Sequence, residues 1–285
     1  MKNWKYEGGE NMSFKVKNVI KASEDAIKKI LRKYSDKEYF LLNKIEPIPS
    51  QLELILGSHT GDAILYALCK KDNKELQKIQ EKLKEEIKDG AYTYDGERKI
   101  EYLSRFVLRT KERLKETTIF DLKNNVTKEY LEKLSEKAES YLPFPWEAKL
   151  GIRTFEELGN LYLNNIIEYD AFCRSDWSGK NWGTTGMAII YESKGDTLVI
   201  ETEWSSPIKI IEKISDEFPN ITFSVEFASN GDDSCGKYEI KNGELISYMD
   251  LEESDVLRIW NYKIDNENKH EINNQRDDEW EDEMY

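Results

Sequence analysis

The stretch SDWSGKNWGTTG, residues 175–186, carries the densest set of side chains that could recognise a ligand. Asp176, Asn181 and Thr184 offer hydrogen-bonding groups, and Trp177 and Trp182 offer a flat aromatic wall. Converging at the mouth of a sheet, they would line a pocket for a small molecule or a peptide, because such pockets are apolar with a few placed polar groups. Trp204, in TEWSSP, is a further aromatic of the same candidate binding set. A second reading needs no ligand. Gly179 and Gly183 give the backbone freedom for a helix-to-strand connection, Trp182 fills the core beneath it, and Asn181 ties loop backbone.

Other chemistry is sparse. The chain has two histidines, His59 and His270, and His270 lies in a polar tail. Any histidine-based triad or metal site in the folded body must therefore use His59. His59 sits in GSHTG just before a helical stretch, a setting that suits anions, but the lysine of a phosphate-binding loop is missing. Asp232 and Asp233 adjoin in SNGDDSCG, where an Asp pair beside glycine reads as a turn rather than a magnesium site. Cys69, Cys173 and Cys235 lie far apart, so neither disulfides nor a cysteine zinc site is indicated, and Cys173 and Cys235 read as buried thiols. No residue is assigned a catalytic role. No cofactor and no metal is expected.

The elements that must position these residues follow from periodicity. Alternating apolar residues from Met12 to Ile20 predict a strand, Ser23 caps a helix over 24–34, and EYFLLNKIEPIP predicts a second strand ended by Pro47 and Pro49. Residues 50–170 change to helical spacing, with amphipathic stretches near 50–88, 97–116, 127–142 (capped by Thr127) and 153–172. After 186 the period becomes two: strands flank SKGD, a helix follows Ser206-Pro207, NITFSVEFA is a strand, and Asn242-Gly243 turns a hairpin. The order is β-α-β, a helical block, then β-β-α-β-β-β. These are the parts of an α+β ferredoxin-like sandwich with a large helical insertion. The expected division is 1–49 and 176–250 for the sandwich, 50–175 for the insertion and 251–285 for a mobile tail. One sheet is expected, because each β part alone is small for a stable core.

FLLNKIEPIP, AFCRSDWSGKNWGT, TEWSSP and SCGKYEIKNGE, in that order, resemble the phage- and plasmid-borne family with a YubB-type ferredoxin-like domain. The matching blocks are 40–49 and 171–244, and Asn181-Trp182-Gly183-Thr184 carries the most specific motif. Two departures stand out: Thr185-Gly186 replaces the family's Lys-Trp, and Trp4 lacks the family's Trp-Cys-x-Asn setting. The resemblance implies the ferredoxin-like fold and a mobile-element origin, with no settled activity.

Charge narrows the function classes. The net charge is −14, and residues 265–285 hold nine acidic and two basic residues, half of that total. Direct nucleic-acid binding is not expected, since phosphate contact needs a basic surface. The tail is expected to be solvated, or to be an acidic arm in which Asp277, Asp278, Glu279, Trp280, Glu281, Asp282 and Glu283 meet a basic partner. No apolar run approaches the roughly 18 residues of a membrane span, and MKNWKYEGGEN reads as no signal peptide. The expected setting is the cytoplasm, that of the host cell if the protein is phage-encoded. The favoured expectation is a non-catalytic interaction protein, an acidic inhibitor of a host nucleic-acid-binding defence factor with a basic surface. An enzyme or ligand-binding protein using residues 175–186 is the alternative, and a nucleic-acid-binding ferredoxin-like module the third.

Overall fold

The computed structural model of the chain describes residues 14–87, 97–108, 117–231 and 234–263. It opens with β1 (Lys15–Lys21), α1 (Glu24–Tyr34), β2 (Tyr39–Phe40) and α2 (Leu42–Ile45). The helical region follows as α3 (Thr60–Lys70), α4 (Asn73–Lys82), α5 (Lys99–Leu108), α6 (Ile119–Asn124), α7 (Lys128–Glu139), α8 (Pro145–Lys149) and α9 (Phe155–Tyr169). The chain then runs through α10 (Arg174–Trp182), β3 (Ala188–Lys194), β4 (Thr197–Glu203) and α11 (Ile208–Asp216). It finishes with β5 (Thr222–Ser229), β6 (Cys235–Lys241), β7 (Glu244–Asp250) and α12 (Glu253–Trp260).

All seven strands join one antiparallel sheet in the order β2-β3-β4-β1-β5-β6-β7. Its centre, β3-β4-β1-β5, is the ferredoxin-like arrangement: β4 lies between β1 and β3, and β1 lies between β4 and β5. The fold is therefore α+β, a ferredoxin-like domain with a helical region inserted. One sheet face is apolar at alternate positions (Ile20, Leu198, Ile200, Phe223, Val225, Tyr238, Ile240) and is covered by α1 and α11 through Ile27, Ile30, Ile211 and Ile214. Ser23 caps α1 by accepting the Ala26 N–H, and Glu24 and Asp25 complement the helix dipole.

The opposite face carries α12, whose Ile259 joins Val19, Val199, Ala228 and Cys235. Lys17 reaches from β1 to the C-terminus of α12, donating at 2.9 Å to the carbonyls of Trp260 and Tyr262. A cation there satisfies carbonyls that the helix itself leaves open. Folded structure thus continues past 251, where the sequence placed the start of a mobile tail.

Two more expectations change. The strand expected over EYFLLNKIEPIP stops at Phe40, after which Leu42–Ile45 forms one helical turn with Leu42 inward, and the Asn43 side chain accepts the Ile48 N–H at 2.8 Å. Residues 50–59 are not α-helix, and only Ser50–Leu52 winds, as a 3₁₀ turn. The hairpin at Asn242-Gly243 forms as expected, with φ of 51° and 74° at the two turn residues.

The helical region builds its own core around α3, which lies against α5, α6, α7 and α9. Gly159 permits the α3–α9 contact: a Cβ there would stand 2.0 Å from the Ala63 carbonyl oxygen and 2.8 Å from the Ala67 Cβ. Among the described residues, no helix is long and apolar enough to cross a membrane.

Candidate functional site

The stretch expected to be a ligand-binding loop is mostly helix. α10 runs to Trp182 and is closed by Gly183, whose φ of 80° is left-handed. A Cβ on Gly183 would also stand 2.9 Å from the Ser206 carbonyl oxygen. The helix forms because tertiary burial overrides weak propensity: Ser178, Gly179 and Asp176 are poor helix formers, yet Asp176–Lys180 and Trp182 are all buried.

The candidate residues are engaged with the fold at separate places. Trp182 is 2% exposed, fills the sheet core, and donates its indole N–H to the Glu46 carbonyl at 2.9 Å. Trp177 is buried beside it, edge-on at 6.1 Å. The Asn181 amide donates back to the Trp177 carbonyl at 2.9 Å, and the Thr184 hydroxyl donates to the Glu203 carbonyl at 2.5 Å. Trp204 is half-exposed, holds a φ of 67°, and meets Phe14 edge-on at 5.3 Å. The acidic residues 277–283, Trp280 among them, and the Asp232-Asp233 pair lie outside the described residues.

Asp176 belongs to a buried charge cluster joining α10 to the helical region. Its carboxylate accepts the Phe172 N–H at 2.8 Å, and Tyr102 faces it. Lys180, one turn on, donates to the Asp170 carbonyl and lies over the Tyr102 ring. Lys99, from α5, donates to the Asp170 carboxylate at 2.9 Å and to the Ile167 carbonyl at 2.6 Å. Burial pushes the Asp176 carboxyl upward and the Lys180 amine downward, the latter against the pull of Asp176 and Asp170. Enclosed in this way, the charges fasten α10, α9 and α5 together.

A cavity of about 300 Å³ lies where the two sequence blocks 40–49 and 171–187 meet. Phe40, Leu42 and Trp182 line it from within, and the exposed Asn43, Lys44 and Arg174 also line it. Arg174 is paired with Glu53 at 3.4 Å.

A run of exposed apolar residues lies elsewhere, on β7. Among the described residues, β7 is an edge strand paired only with β6, and all seven of its residues are exposed. Leu245, Ile246, Tyr248 and Met249 are 44–57% exposed. An edge strand presents alternate unpaired N–H and C=O groups to solvent, and proteins blunt such edges with proline or lysine. β7, ELISYMD, has neither, although its pairing with β6 shifts register at Ile246. The residues Glu244–Glu253 include four acids and no base. The sequence carried a signal for this surface: the adjacent apolar pairs Leu245-Ile246 and Tyr248-Met249 break alternation, so one of each pair must face away from the core.

A family-model comparison agrees with the ferredoxin-like part of the fold. The family model for the ferredoxin-like domain in Api92-like protein matches residues 171–272, from α10 through α12. No curated protein matches. The crystal structure of protein api92 from Yersinia pseudotuberculosis is similar to this chain at 9% identity and a TM-score of 0.32, covering 84% of this chain and 98% of its own.

Proposed function

We propose that this protein is a non-catalytic interaction protein whose β7 edge takes up an extended segment of a partner by strand addition. The observation that carries this reading is β7 itself, a seven-residue edge with four large apolar side chains in solvent and no gatekeeping proline or lysine. In this mode main-chain hydrogen bonds supply affinity, and alternate side chains supply specificity. Apolar exposure of this kind marks interaction sites in folded proteins.

Charge selects the partner. Four acids and no base along Glu244–Glu253, in a chain of net charge −14, favour a segment that mixes apolar and basic residues. In the mobile-element setting that the sequence resemblance implies, a host nucleic-acid-binding defence factor offers such a surface. Its occupation would make this protein an acidic inhibitor acting in the host cytoplasm.

The test is a displayed library of random linear peptides panned on the intact chain, then on the variant carrying Ile246→Lys and Met249→Lys. Both residues are exposed, so the variant keeps its fold. Recovered peptides should share alternating apolar and basic residues and lose binding to the variant. Peptides that bind the variant equally well would place recognition elsewhere. Concentration-dependent dimerisation abolished by the variant would make a second copy of this chain the occupant.

A further inference from the structure

Away from β7 and α10, the helical region holds an open groove of about 540 Å³ between the start of α3 and the chain linking α7 to α8. Ser58, His59, Lys137, Tyr141, Leu142 and Phe144 are among its lining residues. We propose that this groove binds a small ligand with a carboxylate head and an aromatic body.

The polar side of the groove presents the Lys137 ammonium, the His59 imidazole and the Ser58 hydroxyl, and two carboxylates stand behind its wall. Lys137 is half-exposed and paired with Asp62, whose side chain is 5% exposed. Asp62 also accepts the Tyr130 hydroxyl at 2.6 Å. His59 is partly exposed, and its Nε2 lies 3.7 Å from the Glu147 carboxylate, which is 1% exposed. The other oxygen of Glu147 accepts the Tyr141 hydroxyl at 2.7 Å and the Phe144 N–H at 2.8 Å. Neither carboxylate is among the groove's lining residues: Asp62 fixes the Lys137 ammonium from behind, and Glu147 stands behind the imidazole. His59 is also the N-cap residue of α3 and makes no side-chain cap, which leaves its ring free to face the groove.

The other side is apolar and exposed. Leu142 is 83% and Phe144 43% exposed, adjoining apolar surface that a ligand would cover. Phe144 makes stacked contacts with Trp146, at 4.7 Å between ring centres, and with His59, at 5.7 Å. A flat ring extends such a stack in offset or edge-on geometry, and the groove's volume is that of a small-molecule site. An anionic head on His59 and Lys137, with an aromatic body on Leu142 and Phe144, uses both sides at once.

The test titrates the intact chain with phenylacetate and, separately, with phenylacetamide, its neutral counterpart. The readout is the imidazole carbon–proton NMR signal. The chain has two histidines, so His270 serves as the internal reference for His59. Phenylacetate should shift His59 saturably and leave His270 in place, and phenylacetamide should shift neither. Lys137→Gln should weaken phenylacetate by about tenfold or more, the loss expected when a charge-assisted contact is removed. Leu142→Ser, at an exposed position that cannot unfold the protein, should weaken it several-fold. A His59 signal unmoved by phenylacetate, equal shifts from acid and amide, or unchanged affinity in both variants would overturn the proposal.

Discussion

Replacing Trp182 by alanine is expected to lower the unfolding free energy by about 3–4 kcal/mol. Trp182 is 2% exposed and sits in the core between α10 and the sheet. A tryptophan buries about 150–250 Å². At about 25 cal/mol per Å² that burial is worth about 4–6 kcal/mol, an upper bound for an extended reference chain. Losing the indole donor also leaves the Glu46 carbonyl without its 2.9 Å partner. Two features hold the loss below its upper bound. Glu46 is only partly buried, so water can replace the donor. The neighbouring cavity of about 300 Å³ lets the void left by the indole fill with solvent. Trp182→Phe keeps most of the ring and is expected to lose about 1–2 kcal/mol. Urea unfolding followed by far-ultraviolet circular dichroism reads both values from midpoints at constant slope. A loss below about 1 kcal/mol for Trp182→Ala would refute the placement of this residue as core and restore it as part of a ligand-facing loop.

Three further outcomes follow from packing and charge. Gly159→Ala, ordinarily stabilising within a helix by about 1 kcal/mol, should instead destabilise by more than about 2 kcal/mol, because its Cβ collides with the Ala63 backbone of α3; thermal unfolding checks the sign. Asp176→Ala should lose about 2–4 kcal/mol by stranding the Phe172 N–H and removing the carboxylate that offsets buried Lys180, and equal stability of variant and parent in urea would contradict the structural role. Burial pushes the Tyr162 phenol up from 10.0 to about 12. Its contribution is therefore fully present below pH 10 and is lost as pH rises through about 12, up to about 2–3 kcal/mol. Tyr162→Phe should flatten the alkaline fall in stability over that window, and an unchanged slope would refute the shift.

The ferredoxin-like core was legible because its signals are local. Alternation marked β1, β4 and β5, Ser23 marked α1, and Asn242-Gly243 marked the β6–β7 turn. The failures came where long-range burial outvoted local preference. Glycine and serine in SDWSGKNW argue for a loop, but Asp176–Lys180 and Trp182 are all buried, and a helix pairs the backbone N–H and C=O groups that burial removes from water. Leu42–Ile45 also turns helical, with Leu42 inward beside β2. Of the candidate site, residue types were visible and their roles were not: Asp176, Asn181, Thr184 and Trp182 are all engaged with the fold. His59 and Glu147 lie far apart in sequence, and no spacing rule joins them before α3 and α8 come together.

Amide hydrogen exchange along β7 reads strand addition directly. In the free chain, amides among Leu245–Met249 that point away from β6 should exchange quickly, since that edge has no partner strand among the described residues. With a selected peptide bound, those same amides should become protected while β2, at the opposite edge, does not change. Protection that appears instead around α10, with β7 still exchanging freely, would contradict the assignment of β7 as the interaction surface.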